Sequence, residues 1–514
     1  LASHAMVNSM AFACIYGAQN HLLKAHLVSI EVDLSRGLHA FSIVGLPNKA
    51  VEESRDRVSA AIKNSGLKSP KQTNMKITVS LAPADLRKEG PAFDLPIAVG
   101  YLLASGGVDF DSKEKLFAGE LSLDGGVRPI RGALSFAQMA LEKGIRDIYV
   151  PLENASEAAL IDGVSVFGVS DLRQLIEHLE GRKLIIRNLR TKIPASDDID
   201  TISLDDIVGQ DAAKRGLVIA AAGGHNIALF GPPGTGKTML ARALQSILPP
   251  LSFDESLEVT AIYSAAGHLR GSVMTRPPVR SPHHTASRVS LVGGGSPPKP
   301  GEATLAHRGI LFLDEFPEFD RGAIEALRQP IEDKVVSIAR SDKSCEFPAR
   351  FMLVAALNPC PCGNSGVRGK TCLCTPKDIS RYGQKLSGPI VDRIDMWIEV
   401  SKTDHEKLAI KKTSNAETMS TIALVKKARA RQAKRYATLN MSLNSDVVVR
   451  DFIDRLMLSR EAEAILQKAA RAHDLSGRGY HRVIKLARTI ADIDGSEEIK
   501  TPHILEAFQY RKRG

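Results

Sequence analysis

The chain has 514 residues, 43% of them apolar and 25% charged, which is too long for one core and ordinary for a soluble protein. No apolar run approaches the ~20 residues that span a bilayer, and six cysteines in such a length make no disulfide framework, so a reducing cytoplasm is expected. A formal charge of +10 favours a polyanionic partner. Leu1–Ala5, ahead of Met6, reads as a tag-cleavage scar, and no signal peptide is expected.

Residues 6–183 read as a first α/β domain. Strand-like stretches (His26–Val32, Ala40–Val44, Lys76–Leu81, Asp147–Val150) alternate with helical ones at Asn48–Asn64 and Leu95–Ala104. Neither a phosphate-binding loop nor a metal cluster is apparent there. Residues 184–202 read as a linker that runs from the basic Arg182, Lys183, Arg187, Arg190 and Lys192 to the acidic Asp197–Asp200. A second domain is expected over 203–401 and a helical one over 402–514.

The second domain carries the chemistry. The apolar run His225–Phe230 leads into Gly231-Pro232-Pro233-Gly234-Thr235-Gly236-Lys237-Thr238, and a helix-forming stretch follows. This strand–loop–helix context is what a P-loop needs. Glycines let backbone N–H groups cradle phosphate oxygens, Lys237 reaches the β/γ-phosphates, and Thr238 ligates Mg²⁺. The apolar run Gly309–Leu313 ends in Asp314 and Glu315, a pair suited to holding the Mg²⁺ shell and polarising an attacking water. Another buried run, Phe351–Leu357, ends at Asn358. A nucleoside triphosphate with Mg²⁺ is therefore the expected ligand.

Between these motifs lies the long stretch Leu251–Arg308, with Arg280, His283, His284, Arg288 and Lys299 as candidate DNA contacts. Adjacent histidines rarely share one ion, so loop structure or DNA contact is expected of them rather than metal. Val335–Phe347 alternates like a hairpin with Arg340 and Lys343 near its tip, two further candidates. Cys360, Cys362, Cys372 and Cys374 form two Cys-x-Cys pairs with nine residues between them, a pattern that can close a structural Zn²⁺ shell. The C-terminal helices include Lys426, Lys427, Arg429, Arg431, Lys434 and Arg435 within ten residues, either a polyanion surface or a solvated face.

Gly45–Val58, Leu81–Ile97, Arg280–Ser287, Pro300–His307 and the cysteine quartet together resemble the ComM (YifB) family of magnesium-chelatase-like AAA+ ATPases, over essentially residues 7–510. The resemblance implies a Lon-protease-like N-terminal domain on a ribosomal-S5-like fold. At the positions of the Lon Ser and Lys stand Ala92 and Leu134, which cannot form a nucleophile pair, so no peptidase is expected. It also implies a sensor-1 role for Asn358, a helical lid, and two arginines at the nucleotide. Arg393 would reach a neighbouring subunit's site, and Arg478 would serve as sensor 2 with Arg482 as substitute. The family's form is a hexameric ring whose inserts face a central channel, an ATP-driven helicase promoting DNA branch migration in natural transformation. A chelatase-type remodeller acting on a partner subunit, or a scaffold switched by ATP, are the alternatives.

Overall fold

The computed structural model describes residues 12–191, 202–271, 273–295, 298–338, 345–366, 370–401, 415–439, 441–447 and 457–511. It divides into two compact units, Leu1–Pro194 with Ser256–Met274, and Ala195–Glu255 with Thr275–Gly514. No described helix is long and apolar enough to cross a membrane.

The first unit is built on a mixed sheet of β1 (Phe12–His21), β2 (Lys24–Arg36), β3 (Ala40–Val44), β4 (Met75–Ala82), β5 (Lys115–Phe117), β6 (Asp147–Pro151) and β7 (Ser165–Val169). Its order is β3-β4-β2-β1-β5-β6-β7. In β2, Val28, Ile30, Val32 and Leu34 are buried at every second position, the period a one-sided core demands. The helices α1 (Ser54–Asn64), α2 (Asp94–Ala104) and α3 (Ala133–Glu142) accompany the sheet, and every residue of α2 is buried. Asp94 survives that burial because Arg57 Nε donates to it at 2.7 Å. Lys88 is wholly buried as well, its ammonium donating to the Pro83 carbonyl. The expected strands and helices of this region are present, and β1, β5 and β7 add to them.

Ser256–Met274, which the sequence places inside one long insert, belongs to this first unit. The reason is local: Gly132 N donates to Ser264 Oγ at 2.8 Å, and Ser264 Oγ donates to buried Glu157 at 2.5 Å. Leu257, Ala261 and Val273 pack on the cluster around Leu116, Phe136 and Ile148.

The second unit carries a five-stranded parallel sheet. Its strands are β8 (Ile227–Phe230), β9 (Val279–Arg280), β10 (Ile310–Leu313), β13 (Met352–Leu357) and β14 (Met396–Glu399), in the order β9-β10-β13-β8-β14. β11 (Val335–Ile338) and β12 (Cys345–Pro348) pair separately as an antiparallel hairpin, as the alternation predicts. All of β10 and β13 is buried, as parallel strands covered on both faces require. The helices α4 (Asp211–Gly223) and α5 (Lys237–Ile247) flank β8 in the chain.

Beyond the sheet come α6 (Ala416–Arg435), α7 (Arg460–Ala472), α8 (Gly477–Asp494) and α9 (Thr501–Gln509). Asp205 caps α6, accepting from the N–H groups of Glu417 at 3.2 Å and Thr418 at 2.9 Å. Half of the basic run on α6 turns inward. Arg429 donates to the Ala221 carbonyl at 2.7 Å, Arg431 to the Asp492 carbonyl at 2.5 Å, and Arg435 to the Asp492 carboxylate at 2.9 Å. Burial pulls Arg429 down to about 10. Those three cations hold helices together and are unavailable as a polyanion surface. In the other run, Arg182 pairs with Glu180 and Arg190 with Asp162, while Lys192 lies outside the described residues.

Candidate active site

Parallel strands deliver their C-terminal ends to one edge of the sheet, and the motif residues meet there. The phosphate loop leaves β8 at Gly231, where a Cβ would stand 2.2 Å from the Val400 carbonyl oxygen, so only glycine fits. Gly236 has φ +88 and turns the chain into α5, whose N-terminal end faces the loop. Lys237 is almost wholly buried, and its ammonium donates to the carbonyls of Gly231 (2.7 Å) and Pro232 (2.8 Å) and to Asn358 Oδ1 (3.0 Å). Burial lowers its pKa, and the nearby Asp314 and Glu315 oppose that shift.

Thr238 Oγ1 donates to Asp314 Oδ2 at 2.9 Å, which links the loop to the end of β10. A hydroxyl and a carboxylate in contact are the hard oxygen donors Mg²⁺ takes. Glu315 follows in the left-handed region at φ +50, a conformation a non-glycine residue adopts at a cost. Its carboxylate lies 3.5 Å from His284 Nδ1. His284 comes from the stretch assigned to DNA contact, and nothing in the sequence announces this pairing. The two arginines converge on a residue sequence reasoning missed. Arg393, only 10% exposed, pairs with Glu332, and Arg478 Nη2 lies 3.6 Å from the same carboxylate. The Arg393 hydrogen bond, with burial opposing it, holds the Glu332 carboxyl below its usual range. Arg482 donates instead to the Ile394 carbonyl at 2.8 Å.

Three family profiles match in succession: "Subunit ChlI of Mg-chelatase" over residues 30–154, "Magnesium chelatase, subunit ChlI" over 203–408, and "Magnesium chelatase, subunit ChlI C-terminal" over 415–511. The chain is 41% identical over 510 residues to the Competence protein ComM of Haemophilus influenzae, covering 98% of each chain. The chain belongs to the ComM family of magnesium-chelatase-like AAA+ proteins. YifB of Escherichia coli is 42% identical over 493 residues, 94% of each chain. A more distant likeness is to the DNA replication licensing factor Mcm6 of Anopheles gambiae, 21% over 339 residues, 59% of this chain and 36% of that one.

This ComM-family chain gathers its four cysteines just past Asn358. All four Sγ atoms lie within 4.8 Å of one another. Cys360 to Cys362 is 3.5 Å, and Cys372 is 3.7 Å from each of these. A tetrahedron of ~2.3 Å Zn–S bonds has edges of ~3.8 Å, so the donor set fits that ion. Backbone N–H groups of Asn364 and Leu373 bring the Cys362 thiol down to about 6, the ionised state a metal requires. Against a backbone bond from Cys362, burial and the neighbouring thiols push Cys374 up to about 12, since crowded sulfurs do not all ionise without a cation.

The remaining candidates part company. Arg280 is taken up by Glu302, its Nε 2.6 Å from that carboxylate. The His283 ring lies tilted against His284, ring centres 4.1 Å apart. Arg288 and Lys299 are exposed. Arg340 and Lys343 lie outside the described residues.

Proposed function

We propose that this chain is an ATP hydrolase working as a hexameric DNA helicase, one that promotes branch migration during homologous recombination in natural transformation. The observation that carries the reading is the joining of Lys237 to Asn358 and of Thr238 to Asp314 at one end of a parallel sheet. The relative named Competence protein ComM, the +10 charge and the likeness to Mcm6 support DNA as the substrate track.

In this reading ATP arrives with its phosphates at residues 231–238. Lys237 exchanges its loop carbonyls for β- and γ-phosphate oxygens, while Thr238 and Asp314 hold Mg²⁺, which neutralises developing charge. Glu315 polarises the attacking water, and Asn358 orients it against the γ-phosphate. Arg393 acts on the site of a neighbouring copy, and Arg478, or Arg482 in its place, reports the nucleotide from the helices at 402–514, acting as a lid. The pairing of Arg393 and Arg478 with Glu332 supports this: one carboxylate holds both cations ready, and a triphosphate outcompetes it. The cysteine loop holds structural Zn²⁺, and residues 6–183 form a Lon-like domain without a peptidase pair. The cytoplasm, where transformed DNA is recombined, is its place of action.

His284 gives the coupling. A residue from the DNA-contact stretch that touches the water-activating carboxylate lets the track influence hydrolysis. The rival is a chelatase-type remodeller, which the descriptions of the matched families favour. ATP turnover measured with and without single-stranded DNA across a salt series separates the two. A motor is stimulated by DNA and loses binding steeply as salt rises. Turnover indifferent to DNA at every salt concentration contradicts it.

A further inference from the structure

The cysteine loop touches the nucleotide site, and that contact has a consequence beyond folding. Cys360 follows Asn358 by two residues and is wholly buried. Its carbonyl accepts from Gly363 N at 2.9 Å and its sulfur from Ser365 N at 3.3 Å, so the first arm of the cage is a tight turn. Gly363, at φ +75, closes the turn and is buried. It lies against Pro233 of the phosphate loop: a Cβ at Gly363 would stand 2.5 Å from Pro233 Cδ and 2.8 Å from Cγ. Any side chain there would need both a strained backbone and a displaced phosphate loop.

We propose that the metal-closed cysteine cage braces the phosphate loop, with Gly363 as the positioning residue that seats it on Pro233. This rests on the readings that residues 231–238 bind ATP and that the four cysteines hold zinc. The second arm, Cys372 and Cys374, meets the first at the sulfurs, whose spacing fits an ion and not a disulfide. With the ion bound, the turn is fixed and Pro233 has a rigid neighbour. With it removed, the turn is free to open, and the loop that wraps the phosphates loses a wall. Nucleotide affinity thereby becomes dependent on metal, although no cysteine touches nucleotide. A cage that served folding alone would leave affinity unchanged in any protein that stays folded.

The experiment uses the full chain. Zinc content is measured alongside the affinity for a fluorescent ATP analogue, in the wild type before and after chelation and in Gly363→Ala, with circular dichroism as the check on folding. Chelation is expected to weaken nucleotide binding about ten-fold or more and zinc to restore it, the fold persisting. Gly363→Ala is expected to keep its zinc and bind nucleotide about ten-fold more weakly. Lys377→Ala, at an exposed position past the last cysteine, is expected to change neither quantity. Full affinity after zinc is stripped, or Gly363→Ala with full zinc and wild-type affinity, overturns the brace while both underlying readings stand. A wild type that carries no zinc, or one whose affinity is unmoved by Lys237→Ala, overturns it through the reading it rests on.

Discussion

Each unit buries a lysine, and the two lysines differ in what surrounds them. Lys88, in the first unit, donates to the Pro83 carbonyl and is wholly enclosed. Lys237, in the second, stands at the open end of a parallel sheet among three acceptors, two of them carbonyls of residues 231 and 232. Burial depresses both pKa values. A depressed lysine is therefore no sign of function by itself. What distinguishes Lys237 is the company of Thr238, Asp314 and Asn358, and an edge of the fold where the chain turns from strand to helix.

The largest effect should separate the two lysines outright. Lys237→Ala is expected to weaken ATP binding by ~100-fold or more, because a charge-assisted contact to two phosphates is lost, and titration with a fluorescent analogue measures it. Glu315→Gln comes next: nucleotide still binds, while single-turnover hydrolysis falls by roughly 10²-fold or more. Normal turnover would remove Glu315 from its water-activating role. His284→Ala is a finer probe, expected to change DNA-free turnover by about two- to five-fold and to reduce stimulation by DNA, since the pair is partly exposed. Lys88→Met should leave ATP affinity unchanged and alter only the pH dependence of stability. Its folded pKa lies below the ordinary 10.5, so between the two values the unfolded chain binds more protons and wild-type stability rises with pH. Thermal melts of the variant should lack that rise.

The same contrast explains what sequence could reveal. Residues 231–238 and 309–315 were legible because each motif is contiguous and its chemistry depends on backbone placement near a strand end. The quartet at 360–374 was legible because two Cys-x-Cys pairs so near in the chain can bring four sulfurs together, as they do here. Alternation marked β2 and β4, whereas β1 escaped notice because Gly17 and Ala18 dilute its apolar pattern. Contacts made across the fold were not legible. Nothing near Glu332 in the chain tells that Arg393 and Arg478 meet there, nor do the Pro-His-His-Thr residues predict Glu315 as a neighbour. Charge counting misled on α6, because Arg429, Arg431 and Arg435 spend their hydrogen bonds on Ala221 and Asp492 inside the unit. Composition records how many cations a segment holds and is silent on where they point.

Sharing of the site between copies is the claim on which the motor rests, and mixing two dead proteins tests it most directly. Arg393→Ala subunits keep an intact Glu315, and Glu315→Gln subunits keep an intact Arg393. Mixed rings are expected to recover part of the wild-type ATP turnover, at interfaces that join a sound carboxylate to a sound arginine. Mixed rings of confirmed composition that recover none would contradict a site completed by its neighbour.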